Sequence, residues 1–129
     1  MAPGRERVRG QKLFVRPMEP QDRDRVLEFL ATQKCPPMAH TGLIGKLVGQ
    51  LVAVVQLDFR ADEVQIEQMV VADHVRRKRI GRFMIDEADV LARKMERGWL
   101  TAAEDTPIAP FLIHIGFAQV GGKLRRRVV

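Results

Sequence analysis

Ile66-Glu-Gln-Met-Val-Val-Ala-Asp-His-Val-Arg-Arg-Lys-Arg-Ile-Gly-Arg82 runs from a strand through a basic turn into a helix. The strand begins at Glu63. Its period-two pattern sets Glu63, Gln65, Glu67 and Met69 on one face and Val64, Ile66 and Gln68 on the other. After the turn, Ile80, Phe83, Met84, Ala88, Leu91 and Met95 recur at steps of three and four, the signature of an amphipathic helix. Gly98 is the expected stop. A helix that starts from a tight loop after a strand aims unpaired backbone N–H groups outward, and its dipole adds positive charge at that end. Such an end binds phosphate, and Arg76, Arg77, Lys78 and Arg79 reinforce it. The turn is not a Walker loop. Gly42-Leu-Ile-Gly-Lys46 is no better, because Leu47 occupies the place of the required hydroxyl. Nor is the turn a dinucleotide fingerprint, since it holds only Gly81 of the three glycines.

Outward from this segment the elements alternate. Lys12-Leu-Phe-Val-Arg16 reads as a first strand stopped by Pro17. Pro20, Asp22 and Asp24 suit the first turn of a helix whose apolar face is Val26, Leu27 and Leu30, and Pro36-Pro37 forbids its continuation. Leu43 to Val48 and Leu51 to Leu57 flank Gly49-Gln50 as a hairpin, and the second of these strands is apolar enough to be buried on both faces. The strand at Glu63 to Val71 is then the fourth and Trp99 to Ala103 the fifth. Pro107 opens a short helix, capped by Asp105 or Thr106 and ended by Gly116. A last hairpin turns at Gly121-Gly122. The order β-α-β-β-β-α-β-α-β-β predicts a mixed α/β (α+β) domain.

Composition narrows the chemistry. The 129 residues suffice for one domain with a real core. Ser, Asn and Tyr are absent, which excludes a Ser-His-Asp hydrolase and any step that needs a tyrosine hydroxyl. Cys35 is the only cysteine, so no intramolecular disulfide exists. His40, His74 and His114 are scattered without metal-ligand spacing, and no metal is expected. No apolar run approaches the roughly 18 residues that span a membrane. Met1 to Lys12 has no apolar core of a secretory signal; residues 1–11 are expected to be a basic, flexible tail, residues 12–129 the domain, and the cytoplasm its setting. The formal charge is +6, with arginine clusters at 5–9, 76–82 and 125–127. Nucleic acid is not the expected partner, because six Phe, one Trp and no Tyr make a poor stacking platform.

The basic turn also resembles a known motif. In the GNAT superfamily of acyl-CoA-dependent N-acyltransferases the phosphate loop reads Arg or Gln, two residues, Gly, one residue, then Gly or Ala. This chain reads Arg76-Arg-Lys-Arg79-Ile-Gly81. Asp105 to Phe117 resembles the family's closing Asn-x-x-Ala-x-x-x-Tyr-x-x-x-Gly-Phe segment and keeps Gly116-Phe117. The strand and helix order matches from Leu13 to Val128.

The resemblance implies a central, mixed, mostly antiparallel twisted sheet, flanked by helices and splayed between strands four and five. Acetyl-CoA would enter the gap as cosubstrate. Backbone groups at Met69 and Val71 would pair with its pantetheine arm, amides from Arg77 to Arg82 would hold the pyrophosphate, and Asp105 would stand where the family carries a CoA-contacting Asn. Arg76, Arg77, Lys78, Arg79, Ile80, Gly81 and Arg82 are thus the expected cofactor contacts. Glu67 would be the general base, improved by burial beside Met69, for direct acetyl transfer to a primary amine. Three residues depart from the pattern: Arg79 replaces the first loop glycine, Asp105 the Asn, and Leu112 the tyrosine that protonates the departing thiolate. His114 is not expected to substitute, because two helical steps turn it away from position 112. The rival reading is a non-catalytic acyl-CoA-binding or protein-interaction module of the same fold. The acceptor and any homodimer, through sheet edges or the final hairpin, are left open.

Overall fold

The computed structural model describes residues 4–8, 11–37, 41–76 and 79–129, those up to Gln11 by backbone alone. Its eight strands are β1 (Gly4–Val8), β2 (Gln11–Pro17), β3 (Gly42–Leu47), β4 (Gln50–Phe59), β5 (Glu63–Val71), β6 (Trp99–Ala103), β7 (Ala118–Val120) and β8 (Lys123–Arg127). The α-helices are α1 (Arg23–Thr32), α2 (Ile80–Lys94) and α3 (Ala109–His114). The strands form one open sheet in the order β1-β2-β3-β4-β5-β6-β8-β7. Every pairing is antiparallel except β5 with β6. This is the mixed, mostly antiparallel sheet that the sequence predicts, and its parallel pair lies between the predicted fourth and fifth strands, β5 and β6. Gly4–Val8, inside the segment expected as a tail, pairs along β2 as the edge strand.

The helices cover opposite faces. A Cβ on Gly45 would meet Met84 of α2 and Leu13 of β2, so Leu13 and Gly45 turn toward α2. Arg16, of opposite parity on β2, turns to the other face and holds Asp22 at the start of α1. β4 runs between the two layers, and Val52 to Leu57 are buried without a break. On α2 the fully covered positions are Ile80, Met84, Ile85, Ala88 and Ala92, whereas Met95, expected on that face, is exposed. Among the described residues no helix is long and apolar enough to cross a membrane.

Several local readings change. The first hairpin turns at Val48-Gly49 (φ 51° and 75°), not at Gly49-Gln50, because Leu47 and Gln50 are themselves paired. Both φ values are positive, as a two-residue turn requires. Gly98 does not stop α2. The helix ends at Lys94, Glu96 takes the left-handed position (φ 58°), and Gly98 lies against Asp62, to whose carbonyl it donates at 2.9 Å. Helix α3 starts at Ala109, with Ile108 as its cap residue and no side-chain cap from Asp105 or Thr106. The arginines of β8 are committed to packing. Arg125 and Arg127 lie over the Trp99 ring at 4.1 and 5.4 Å, while Arg126 turns to the other face and donates to Asp89 and to the Ile115 carbonyl.

Asp22 is 5% exposed and receives two hydrogen bonds from Arg16, at 2.7 and 2.8 Å, and one from the Glu19 N–H. The Arg16 bond holds its carboxyl below the usual carboxylate range, against the opposing effect of burial. Because the folded value is depressed, this stability is fully present above the unfolded value of about 4 and is lost as pH falls through the folded value. Arg16→Ala should therefore cost on the order of 2 kcal/mol at pH 7, with the gap to wild type narrowing below about pH 4. Urea unfolding at pH 7 and pH 3 measures both; an equal loss at the two pH values would remove Asp22 as its source.

Candidate acyl-CoA cleft

β5 and β6 part midway. Their pairing runs from Glu63↔Trp99 to Ile66↔Ala102, but β5 continues to Val71. The closed end is fastened by Glu63, which accepts from Lys123 Nζ at 2.7 Å and from Thr101 Oγ1 at 2.5 Å. These bonds keep its carboxyl below the usual range.

The register on the other edge of β5 slips at the same level. Gln56 pairs with Gln68 but Leu57 pairs with Ile66, so Glu67 is an additional residue in β5. Such a bulge bends a strand and re-aims its side chains. Counted against β4, Met69 and Val71 then share a face with Val64 and Ile66, while Gln68 and Val70 share the face of Glu63 and Gln65. The uniform alternation expected of this strand is interrupted, and Gln65 and Met69 lie on opposite faces. Ala72 donates to Val52 of β4 at 2.8 Å. By alternation, the backbone groups of Met69 and Val71 turn to the other edge, where β6 has ended.

Helix α2 closes one end of this gap. Its first internal hydrogen bond runs from Phe83 N–H to Arg79 C=O at 3.0 Å, which leaves the N–H groups of Ile80, Gly81 and Arg82 without helical partners. Arg79 is the cap residue and adopts φ 63°, ψ 14°. This is the left-handed region that an arginine occupies at a cost and a glycine freely. Gly81 is closely packed: a Cβ there would lie 3.3 Å from Met69 Cε and 3.4 Å from Phe111 Cζ, so those side-chain ends would have to shift slightly. Arg76 crosses the turn, donating to the Val71 carbonyl at 3.3 Å and pairing with Asp73 at 3.0 Å.

Between these elements and α3 lies a cleft of about 760 Å³. β5 contributes Met69, Val70 and Val71; the turn and α2 contribute Val75, Arg76, Arg79, Ile80, Gly81 and Arg82. The far wall is Pro107, Ile108, Phe111, His114 and Ile115, and Cys35 joins from the loop after α1. Apolar walls thus lead to an end with backbone donors and arginines, the donor set for a pyrophosphate on an otherwise apolar ligand. The residues present fit acyl-CoA on these grounds.

Met69, Val71, Arg76, Arg79, Ile80, Gly81 and Arg82 therefore meet in one cleft. Arg77 and Lys78 lie outside the described residues. Asp105 is exposed and does not line the cleft, and neither does Glu67, which is exposed rather than buried beside Met69. Leu112 is 0% exposed and packs in the core. The cleft side of α3 is instead Ile108, Phe111, His114 and Ile115. That face went unread in the sequence, although 108, 111 and 115 are apolar at helical spacing.

Comparison with known proteins agrees with this geometry. The acetyltransferase (GNAT) family model matches residues 7–117. No curated protein matches the chain. Among solved structures, the GNAT domain of S. lividans PAT superposes with a TM-score of 0.77 at 16% identity, covering 97% of this chain and 96% of that one. Ard1 from Thermoplasma volcanium gives 0.73 at 16%, covering 91% and 98%. N-acetylglutamate synthase from Neisseria gonorrhoeae, complexed with coenzyme A and N-acetyl-glutamate, gives 0.75 at 15%, covering 91% of this chain and 35% of that one. With a family model spanning most of its length and a sheet that parts beside a basic helix start, the chain belongs to the acetyltransferase (GNAT) family.

Proposed function

We propose that this protein transfers an acetyl group from acetyl-CoA to a primary amine by direct attack. The observation that carries the reading is the parted β5–β6 pair. Edge groups of Met69 and Val71 that β6 does not pair lead to the N–H groups of Ile80, Gly81 and Arg82, which have no helical partners. In this reading the pantetheine arm completes the edge of β5 as an added strand would. Arg76, Arg79 and Arg82 neutralise the phosphates. The acceptor nitrogen attacks the thioester carbonyl carbon, the new C–N bond replaces the C–S bond, and the thiolate leaves and takes a proton from solvent. Only a neutral amine is a nucleophile, so its ammonium form must first lose a proton. Glu67, exposed at the bulge, is the proposed acceptor of that proton through water. Cys35 forms no part of the route, and the cytoplasm is the proposed setting.

A non-catalytic acyl-CoA-binding module is the second reading. Two observations favour it: the tyrosine position holds a buried leucine, and Glu67 stands outside the cleft walls.

Calorimetric titration with acetyl-CoA tests both readings, which require saturable binding; none at millimolar ligand would sink both. Arg82→Glu should weaken that binding at least tenfold, since a charge-assisted phosphate contact contributes about 1.5–3 kcal/mol. An unchanged Kd would place the phosphates elsewhere.

Arg79→Gly separates backbone from side chain. Relief of the left-handed arginine should raise the unfolding free energy by about 1 kcal/mol. Loss of its guanidinium from the cleft should weaken acetyl-CoA binding several-fold. Tighter binding by the glycine variant would show that the side chain is only tolerated.

Glu67→Gln distinguishes enzyme from module. It should bind acetyl-CoA normally yet lose on the order of 10²-fold in kcat/KM for the amine, with the loss shrinking at high pH, where the amine is already neutral. A variant matching wild type at every pH would exclude Glu67 as the base.

A further inference from the structure

The described helices leave part of one sheet face bare. α2 and α3 lie on the face to which Arg126 turns. α1, on the other face, packs against β4. Beyond β5 that second face carries Trp99 of β6, Lys123, Arg125 and Arg127 of β8, and Ala118 and Val120 of β7, which the register sets side by side. Ala118, Val120 and Arg127 are exposed. Lys123 is neutralised by Glu63 at 2.7 Å. Arg125 and Arg127 have no ion pair or hydrogen bond among the described residues; both guanidiniums rest on the Trp99 ring, at 4.1 and 5.4 Å from its centroid.

A guanidinium that lies on a ring uses its flat face there, and its N–H groups, which point outward in its plane, remain for an acceptor. The ring also steadies both side chains, so less freedom is lost when they bind. Arg125 and Arg127 stand two residues apart on one face of β8, about 7 Å along the strand. Carboxylates at alternate positions of an extended chain repeat at the same distance. We infer that this face docks an extended acidic segment of another protein, with Glu or Asp at alternate positions set against Arg125 and Arg127 and an apolar contact at Val120. The site lies at the closed end of the β5–β6 pair, on the face away from α2 and α3, and the inference does not depend on acetyl transfer. Charge complementarity selects this occupant. A second copy of the chain fits poorly, because a two-fold contact through this face sets arginines against arginines. Nucleic acid fits poorly too: Arg125 already lies over the ring on which a base would stack, and Trp99 is the single aromatic of β6, β7 and β8.

The experiment titrates the full chain, without acetyl-CoA, into labelled peptides and follows anisotropy. Trp99, the one tryptophan of the chain, reports the place of binding through its emission. A short peptide of alternating Glu and Thr should bind saturably, shift that emission and weaken with added salt. A peptide of alternating Gln and Thr, and one with the same Glu and Thr content in two blocks, should each bind at least fivefold more weakly. Arg125→Gln with Arg127→Gln should weaken the alternating acidic peptide at least tenfold and leave the acetyl-CoA Kd within twofold of wild type. If that pair of changes unfolds the protein, Arg125→Lys with Arg127→Lys decides: the charge stays, the planar fork is lost, and binding should fall several-fold. Either pair binding like wild type overturns the proposal. So does an acidic peptide that fails to bind at millimolar concentration, that leaves the Trp99 emission unchanged, or that binds no better than the blocked one. Tighter binding of oligothymidylate than of the alternating peptide at the same salt overturns it in favour of nucleic acid.

Discussion

One additional residue in β5 organises the molecule. With Glu67 inserted opposite Gln56 and Leu57, the strand bends away at the level where its partner β6 ends. A sheet edge in the middle of a domain is costly unless its backbone groups find partners. Here Arg76 takes the Val71 carbonyl, and the remaining edge faces a cleft rather than another strand. The opening therefore depends on how firmly the other end is closed. Glu63 ties β5 to β6 through Thr101 and to β8 through Lys123, and Asp89 ties α2 to β8 through Arg126. Two ion-paired anchors, one on each face of β8, thus hold that strand to β5 and to α2.

The same logic explains the backbone at Arg79. A helix meant to present bare N–H groups cannot spend them on a side-chain cap, and α2 has none. Here the chain enters the helix from a left-handed residue. Glycine would do this without cost, and this protein uses arginine. The charge gained beside Arg76 and Arg82 is the compensating feature, because all three line the cleft with the free N–H groups. Strain retained at a ligand-facing turn is a common pattern where the surrounding structure holds it in place.

Much of this was legible in the sequence, for physical reasons. Ile80, Met84 and Ala88 mark α2 because a helix buries residues at its own period, and the unbroken apolar run of β4 marks a strand covered on both faces. The basic helix start was legible because it depends on local chain geometry and charge. What escaped depends on pairing partners. A bulge is a relation between two strands, and nothing in Gln65-Ile-Glu-Gln-Met69 shows which residue will go unpaired. Glu67 was thus placed on a face that the slipped register does not give it. For the same reason Gly98 looked like a helix stop. It lies instead against Asp62, distant in sequence.

The α3 wall shows what the missing tyrosine means. Alignment by motif puts Leu112 at that position, but Leu112 faces the core, and the cleft is met by Phe111 and His114 on either side of it. A hydroxyl at 112 would have to be buried among apolar neighbours or turn the helix, so the core, not the cleft, is what selects leucine there. Departure of the thiolate does not demand an acid: a thiol with an ordinary pKa of about 8.5 is a workable leaving group at neutral pH. In the proposed transfer the hard step is bringing a neutral amine to the thioester carbon in the right orientation, and proximity of that kind is worth more than one proton transfer. In the proposed transfer the proton therefore falls to Glu67, at the bulge of β5, rather than to α3.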